Sequence, residues 1–145
     1  MIDLKHFNTI LVVAGSRGYS NKLDFKDLLE EYLQDLNGPI LFVSGDAVSG
    51  ADKLIIEYCE ERNLPLLKIP AEWDNLEVEP LLIKYNKGKP YNALAGHNRN
   101  QKMINIATHL LVFWDGKSPG TRNAIKSAEK RKVKTKVILI DLETN

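Results

Sequence analysis

Residues 9–14 (TILVVA) form a short, nearly continuous apolar and β-branched run that stops at Gly15, the profile of a strand buried on both faces. Strands of that kind belong to parallel sheets, and parallel strands have to be joined by crossover segments, usually helices. The chain meets that requirement at once. From Lys22 to Leu36, Leu, Phe or Tyr recurs at 25, 28, 29, 32, 33 and 36, and the stripe ends at Asn37 and Gly38, which predicts a helix. The unit repeats as a strand over Ile40–Val43, the loop SGDAVSG, and a helix from Ala51 to about Arg62 with Leu54, Ile55, Tyr58 and Cys59 turned inward. Ser49 and Asp52 resemble a capping pair at its start. Further strands are expected at Leu66–Ile69, Leu110–Trp114 and Lys136–Ile140, with helices from about Gly96 to Ala107 and from about Arg122 to Lys132. The alternation predicts an α/β fold, a three-layer Rossmann-like arrangement of about five parallel strands in the order 3-2-1-4-5 with helices on both faces.

One segment breaks the rhythm. Residues 75–91 (NLEVEPLLIKYNKGKPY) begin acidic, end basic and carry Pro80 and Pro90, so they read as an irregular lid, a short extra helix or hairpin, or a subunit contact. The 145 residues, 43% of them hydrophobic, suit a single domain over 1–145 with one sizeable core. A net charge of +1 sets up no global field for nucleic acid or an anionic membrane. The single cysteine, Cys59, excludes an internal disulfide and suits a reducing compartment. With neither a signal-peptide pattern nor a long apolar run, a soluble, cytoplasmic protein without a membrane partner is expected.

In an open parallel sheet, ligands bind beyond the carboxyl ends of the strands, where the connection order reverses. The loops expected there are GSRGYS (15–20), SGDAVSGAD (44–52) and DGKSPGT (115–121). Each holds two glycines, which let backbone N–H groups approach an anion, and each leads toward a helix N-terminus whose dipole favours negative charge. Three such loops at one edge point to a phosphorylated ligand. The candidate binding residues are Gly15, Ser16, Arg17 and Gly18 in the first loop, Ser44, Gly45, Gly50, Ala51 and Asp52 in the second, and Gly116, Ser118, Gly120 and Thr121 in the third. Arg17 and Arg99 are the cations expected beside the ligand, since a guanidinium fork takes two phosphate or carboxylate oxygens at once. Asn98 is expected to turn the same way as Arg99 from the polar opening turn of GHNRNQKMINIA.

Other chemistries are excluded or held in reserve. GSRG lacks the third glycine of a dinucleotide fingerprint, and GKS at 116–118 has Leu111 where the leading glycine of a P-loop must stand. His6, His97 and His109 with Cys59 show no metal-ligand spacing, and no motif implies a cofactor. Trp114 and Trp73 follow strands and are candidates to stack on a base, with plain packing the expectation for both. Arg122, Lys126 and Lys130 fall four apart and make a basic helical ridge. A solvated outer face is the preferred reading of that ridge, and a track for a nucleic-acid backbone is the functional one.

Taken together and in order, AGSRGYS, SGDAVSGAD, PAEWD, GHNRNQKM and FWDGKSPGT resemble the SLOG superfamily, which joins the DNA-processing protein A group with the Lonely Guy phosphoribohydrolases. The resemblance is closest to its small YspA-like branch and runs over roughly residues 9–140, and beside the short connection expected in that branch it implies that residues 75–91 are an insertion near the site mouth. It implies a Rossmann-like domain with a site for a nucleotide or nucleotide-derived molecule, including ADP-ribose-type signals, a role in ligand sensing, and a homodimer as the expected assembly. The Lonely Guy enzymes, which release the base from nucleoside monophosphates, are matched in part by Arg99, Asn100 and Met103 and by Gly120 and Thr121. Their glycine loop ends in a glutamate, however, and that position falls on Ala124. Glycosidic cleavage needs a carboxylate to assist an oxocarbenium-like transition state, and alanine cannot supply it. Binding without that reaction is therefore the leading expectation, with Arg99 and Asp115 as the catalytic candidates if a reaction occurs. Asp46 and Asp52 are the other carboxylates nearby.

Overall fold

The computed structural model describes residues 2–142. Its main sheet has five strands, β1 (Thr9–Gly15), β2 (Ile40–Ser44), β3 (Leu66–Lys68), β6 (His109–Trp114) and β7 (Lys134–Leu139), in the order β3-β2-β1-β6-β7. Every neighbouring pair in it is parallel. The helices are α1 (Lys22–Leu33), α2 (Ala51–Arg62), α3 (Ala95–Ile106) and α4 (Pro119–Lys130). Numbered without the small hairpin β4 (Ile83–Asn86) and β5 (Lys89–Asn92), the order is the expected 3-2-1-4-5. The chain has a Rossmann-like three-layer α/β fold.

The layers follow from the period-two alternation of side chains along a strand. Leu11 and Val13 of β1 and Leu111 and Phe113 of β6 face one side, where Phe25 and Leu29 of α1 and Leu54, Ile55 and Cys59 of α2 cover them. Ile10, Val12 and Ala14 with Leu110 and Val112 face the other, against Met103 and Ile104 of α3 and Ala124, Ile125 and Ala128 of α4. Because β1 and β6 are covered on both faces, nearly every residue in them is apolar, and each fully buried Leu, Val or Phe contributes about 1.5–3 kcal/mol. Phe113 is the centre of the first layer: its ring lies 5.4 Å from Tyr19 and 4.9 Å from Phe25, so the loop after β1 is packed on the strand β6 next to it.

Element boundaries differ from the sequence reading at informative places. Helix α1 stops at Leu33, a turn before Leu36, and a further turn closes through the Leu36 N–H on the Leu33 carbonyl. Helix α4 starts at Pro119, a turn before Arg122, because Pro at the first helical position gives up an N–H that has no partner there anyway. The capping pair Ser49–Asp52 does not form. Gly50 occupies the cap of α2, and the Asp52 carboxylate instead accepts from the Ala47 N–H at 3.1 Å, since an aspartate is too short to reach back to the cap.

Residues 83–92 form the hairpin β4–β5, which overlaps the segment 75–91 and runs one residue beyond it, paired from Ile83↔Asn92 to Asn86↔Lys89. Its base is locked by Asn92, a fully buried side chain that accepts from the Leu82 and Leu94 N–H groups and donates to the Pro80 carbonyl. The hairpin is joined to the domain through the Asn92 N–H, which donates to the Trp73 carbonyl at 2.8 Å.

Candidate functional site

The strand order reverses between β1 and β6, and a cleft of about 390 Å³ opens beyond their carboxyl ends. Three loops reach it and are pinned to one another. Ser16, buried beneath the cleft, donates its N–H to the Phe113 carbonyl at 2.9 Å, and its hydroxyl accepts from the Asp115 N–H at 3.0 Å, tying the loop after β1 to the loop after β6. The N-terminus of α2 is drawn just as close. At Gly50, whose φ is +76°, an added Cβ would stand 2.5 Å from the Ser16 carbonyl oxygen and 2.7 Å from the Arg17 Cα, so only glycine lets these two backbones touch.

The helix ends are not equivalent as anion sites. Asn21 caps α1 with its side chain, accepting from the Asp24 N–H, so that end is already satisfied. Neither α2 nor α4 has a side-chain cap. Helix α2, however, carries Asp52 in its own first turn, whereas α4 has no acidic residue there. The Gly120 and Thr121 N–H groups therefore belong to the first turn of a helix that carries no acidic residue of its own there. The loop that precedes them is less of a cradle than its glycines suggest. Asp115 Oδ1 accepts from both the Lys117 and the Ser118 N–H at 2.8 Å, and Oδ2 accepts from the Ser118 hydroxyl, also at 2.8 Å. The chain's own carboxylate thus occupies the place an external anion would take at those two amides. Those bonds, the Ser118 N–H first, hold the Asp115 carboxyl down to about 2, so it is an anion at any physiological pH and unsuited to acid or base work.

The opposite wall comes from α3. Arg99 donates from Nη1 to the Gly45 carbonyl at 2.6 Å and from Nε to the Asn100 side-chain oxygen at 2.9 Å. The buried Asn100 passes the contact on, donating to Asn123 Oδ1 at 3.0 Å and to the Gly120 carbonyl at 3.3 Å. Arg99 is thereby fixed between the loop after β2 and the start of α4. Burial lowers its pKa from the ordinary guanidinium value, Asp52 opposing and Arg17 adding to that shift, and an arginine remains charged throughout. Arg17 is exposed at the rim of the same cleft. Asp52 lies within it at 8% exposure, and burial raises its carboxyl above the ordinary range although the Ala47 N–H, Arg99 and Arg17 pull it down. The remaining wall is apolar: Ala14, Met103 and Ala124. Ala124 is buried in that wall.

Of the residues singled out in the sequence, Gly15, Ser16, Arg17, Gly18, Asp52, Arg99, Ser118, Gly120 and Thr121 line this cleft. Ser44 does not: it is buried under the loop, donating to the Asp52 carbonyl and accepting from the Asp46 N–H. Gly45 lies behind Arg99, Ala51 packs beneath the cleft against Gly15, and Gly116 serves a turn at φ +80°. Asn98 faces the other way, donating to the Pro80 carbonyl at 3.1 Å and so holding the insertion. Ala47, Asn100 and Met103 line the cleft without having been singled out as binding residues. Asn100 and Met103 carried a signal, since both fall on the motif that Arg99 opens. Trp114 is spent on packing, its indole N–H donating to the Ser118 carbonyl and Arg122 lying over its ring. Arg122, Lys126 and Lys130 are exposed on the outer face of α4.

A larger depression, about 710 Å³, runs between α1 and β7. It is bounded by the C-terminal half of α1 and by His109 and Lys134, the first residues of β6 and β7, and so lies away from the glycine loops and from the N-termini of α2 and α4. The smaller cleft is the one that the glycine loops reach. Among the described residues no group of three or more His, Cys, Asp or Glu is placed to hold a metal ion, and no helix is long and apolar enough to cross a membrane. No protein-family model, no curated protein and no solved structure matches the chain.

Proposed function

We propose that the cleft binds a nucleotide or nucleotide-derived ligand, a nucleoside phosphate or an ADP-ribose-like molecule, and that the domain acts as a ligand-sensing module of the SLOG superfamily. The observation that carries the reading is the meeting of the first turn of α4, which holds no acidic residue, with two guanidinium groups, Arg17 and Arg99, around one cleft at the switch point of the sheet. The motif resemblance to the YspA-like branch supports the same class of ligand. The phosphate is assigned to the Gly120 and Thr121 amides and Arg17, with the tethered Arg99 as the second cation. The buried Ala124 favours holding the ligand over cleaving it.

A thermal-shift and calorimetric screen with AMP, ADP and ADP-ribose tests the proposal. Binding by at least one of them is expected, weakened about tenfold or more in Arg17→Ala and Arg99→Ala, the loss expected of a charge-assisted contact. No binding by any of the three compounds refutes the assignment. The competing reading, hydrolysis or transfer at an N-glycosidic bond, is favoured by one observation: Asp52, a carboxylate in the cleft whose pKa is raised by burial. Release of free base from AMP that disappears in Asp52→Asn would establish it, and the absence of release by the wild type removes it.

A further inference from the structure

The cleft does not end at Arg99. A second compartment of about 250 Å³ continues past it, and Arg17, Ala47 and Arg99 line both spaces. Beyond them the wall is mostly apolar, Val48, Pro70, Ala71 and Trp73, with Gly45 and the carboxylate-bearing Asp46 beside them. Two of these groups are left unusually open for their type. Val48 is 91% exposed and Trp73 39% exposed, so both present apolar surface that the fold itself does not cover. Trp73 is nevertheless held in place. The end of its six-membered ring lies against the first turn of α3, 3.4 Å from where a Cβ at Gly96 would stand, an ordinary van der Waals contact. Tyr91 meets the ring edge-on, with centroids 6.4 Å apart, and the Asn92 N–H anchors the Trp73 carbonyl. The hairpin insertion therefore acts as a buttress behind one aromatic ring.

We infer that the site is bipartite: the compartment at α4 takes the anion, and the compartment at Trp73 takes a planar heteroaromatic group, stacked on the indole, of the same ligand. The inference rests on the proposed nucleotide reading and narrows it to ligands that carry a base or a comparable ring. A rigid, partly exposed indole is suited to this because stacking needs a π-face and little else. The two guanidinium groups shared by both compartments lie where the ribose and phosphate of a nucleotide would pass. Neither compartment reaches far into the range of about 300–1,000 Å³ usual for small-molecule sites, whereas a ligand spanning both would have that room.

The test uses the full chain and two probes that differ by the base alone, AMP and ribose 5-phosphate, titrated calorimetrically into the wild type, Trp73→Ala and Trp73→Phe. Expected is tighter binding of AMP than of ribose 5-phosphate by about tenfold, the scale of one base–aromatic stack. Trp73→Ala should abolish that advantage and leave ribose 5-phosphate unchanged, and Trp73→Phe should keep most of it. Equal binding of the two probes by the wild type overturns the second compartment while leaving the anion site standing. Weakening of both probes to the same degree by Trp73→Ala also overturns it, since the ring would then be only a support. If neither probe binds, the nucleotide reading beneath the inference falls with it.

Discussion

Replacing Gly50 with alanine attacks the contact that brings the first loop against the N-terminus of α2. At φ +76° and ψ −157° the residue occupies a region that is essentially restricted to glycine, and forcing a side chain into it costs about 1–3 kcal/mol. The new Cβ would also stand 2.5 Å from the Ser16 carbonyl oxygen and 2.7 Å from the Arg17 Cα, both backbone atoms that cannot rotate away. Overpacking of that kind adds about 1–3 kcal/mol, for a total of about 2–6 kcal/mol against a typical domain stability of about 5–15 kcal/mol. For 145 residues the entropy of unfolding near the midpoint is about 0.3 kcal/mol per kelvin, so the expected fall in Tm is about 7–20 °C. Gly120 supplies the control: it is helical, its φ is not positive and an added Cβ meets nothing within 4 Å, so Gly120→Ala should be neutral or gain up to about 1 kcal/mol. Both variants are read by urea and thermal unfolding. A Gly50→Ala protein within about 0.5 kcal/mol of the wild type, or one no worse than Gly120→Ala, would refute the close approach of the two backbones.

Three further outcomes follow from the same structure. Asp115→Ala removes the acceptor of three donors and should cost about 1 kcal/mol, discounted for solvent exposure; because its folded pKa of about 2 lies below the unfolded 3.8, the wild type's advantage over the variant should be full above about pH 4 and vanish as the pH falls through 2, in parallel urea titrations. Asp52 runs the opposite way: burial raises its folded pKa, so its ionisation costs stability above that pKa, and Asp52→Asn should flatten the loss of stability that the wild type shows as the pH rises from 3.8 upward; a variant with the wild-type pH profile contradicts this. Cys59 is fully buried, with its thiol pushed up to about 12, so a disulfide reagent at pH 8 should label it only at the rate of unfolding; rapid labelling of the native protein would mean the helix α2 does not pack as described.

The sheet and its order could be read from the chain because the runs at β1, β2 and β6 are buried on both faces and therefore apolar at nearly every position. The start of α4 was also encoded, in Ser118 followed by Pro119, but Gly120 argued for a loop and the helix was expected a turn late. Asp115 carried a signal too: an aspartate followed by Gly-Lys-Ser suits a side-chain turn onto its own backbone, which is where its carboxylate goes. Other features depend on contacts that no local pattern carries. Asp52 is buried beside Ala47 of the loop after β2 and Arg99 of α3, and Asn98 donates to the carbonyl of Pro80, eighteen residues before it. Trp73 looked like ordinary packing in the sequence, and its neighbours, Gly96 twenty-three residues on and Tyr91 of the hairpin, are brought to it only by the tertiary fold.

The most direct test of the binding site is amide-resolved NMR of the isotopically labelled chain during titration with ADP-ribose. Shifts that saturate together at Arg17, Ala47, Gly120 and Thr121, with Leu28, Tyr32 and Lys136 in the α1–β7 groove unmoved, are the expected result. Shifts confined to that groove, or none at all at millimolar ligand, would contradict the assignment of the site.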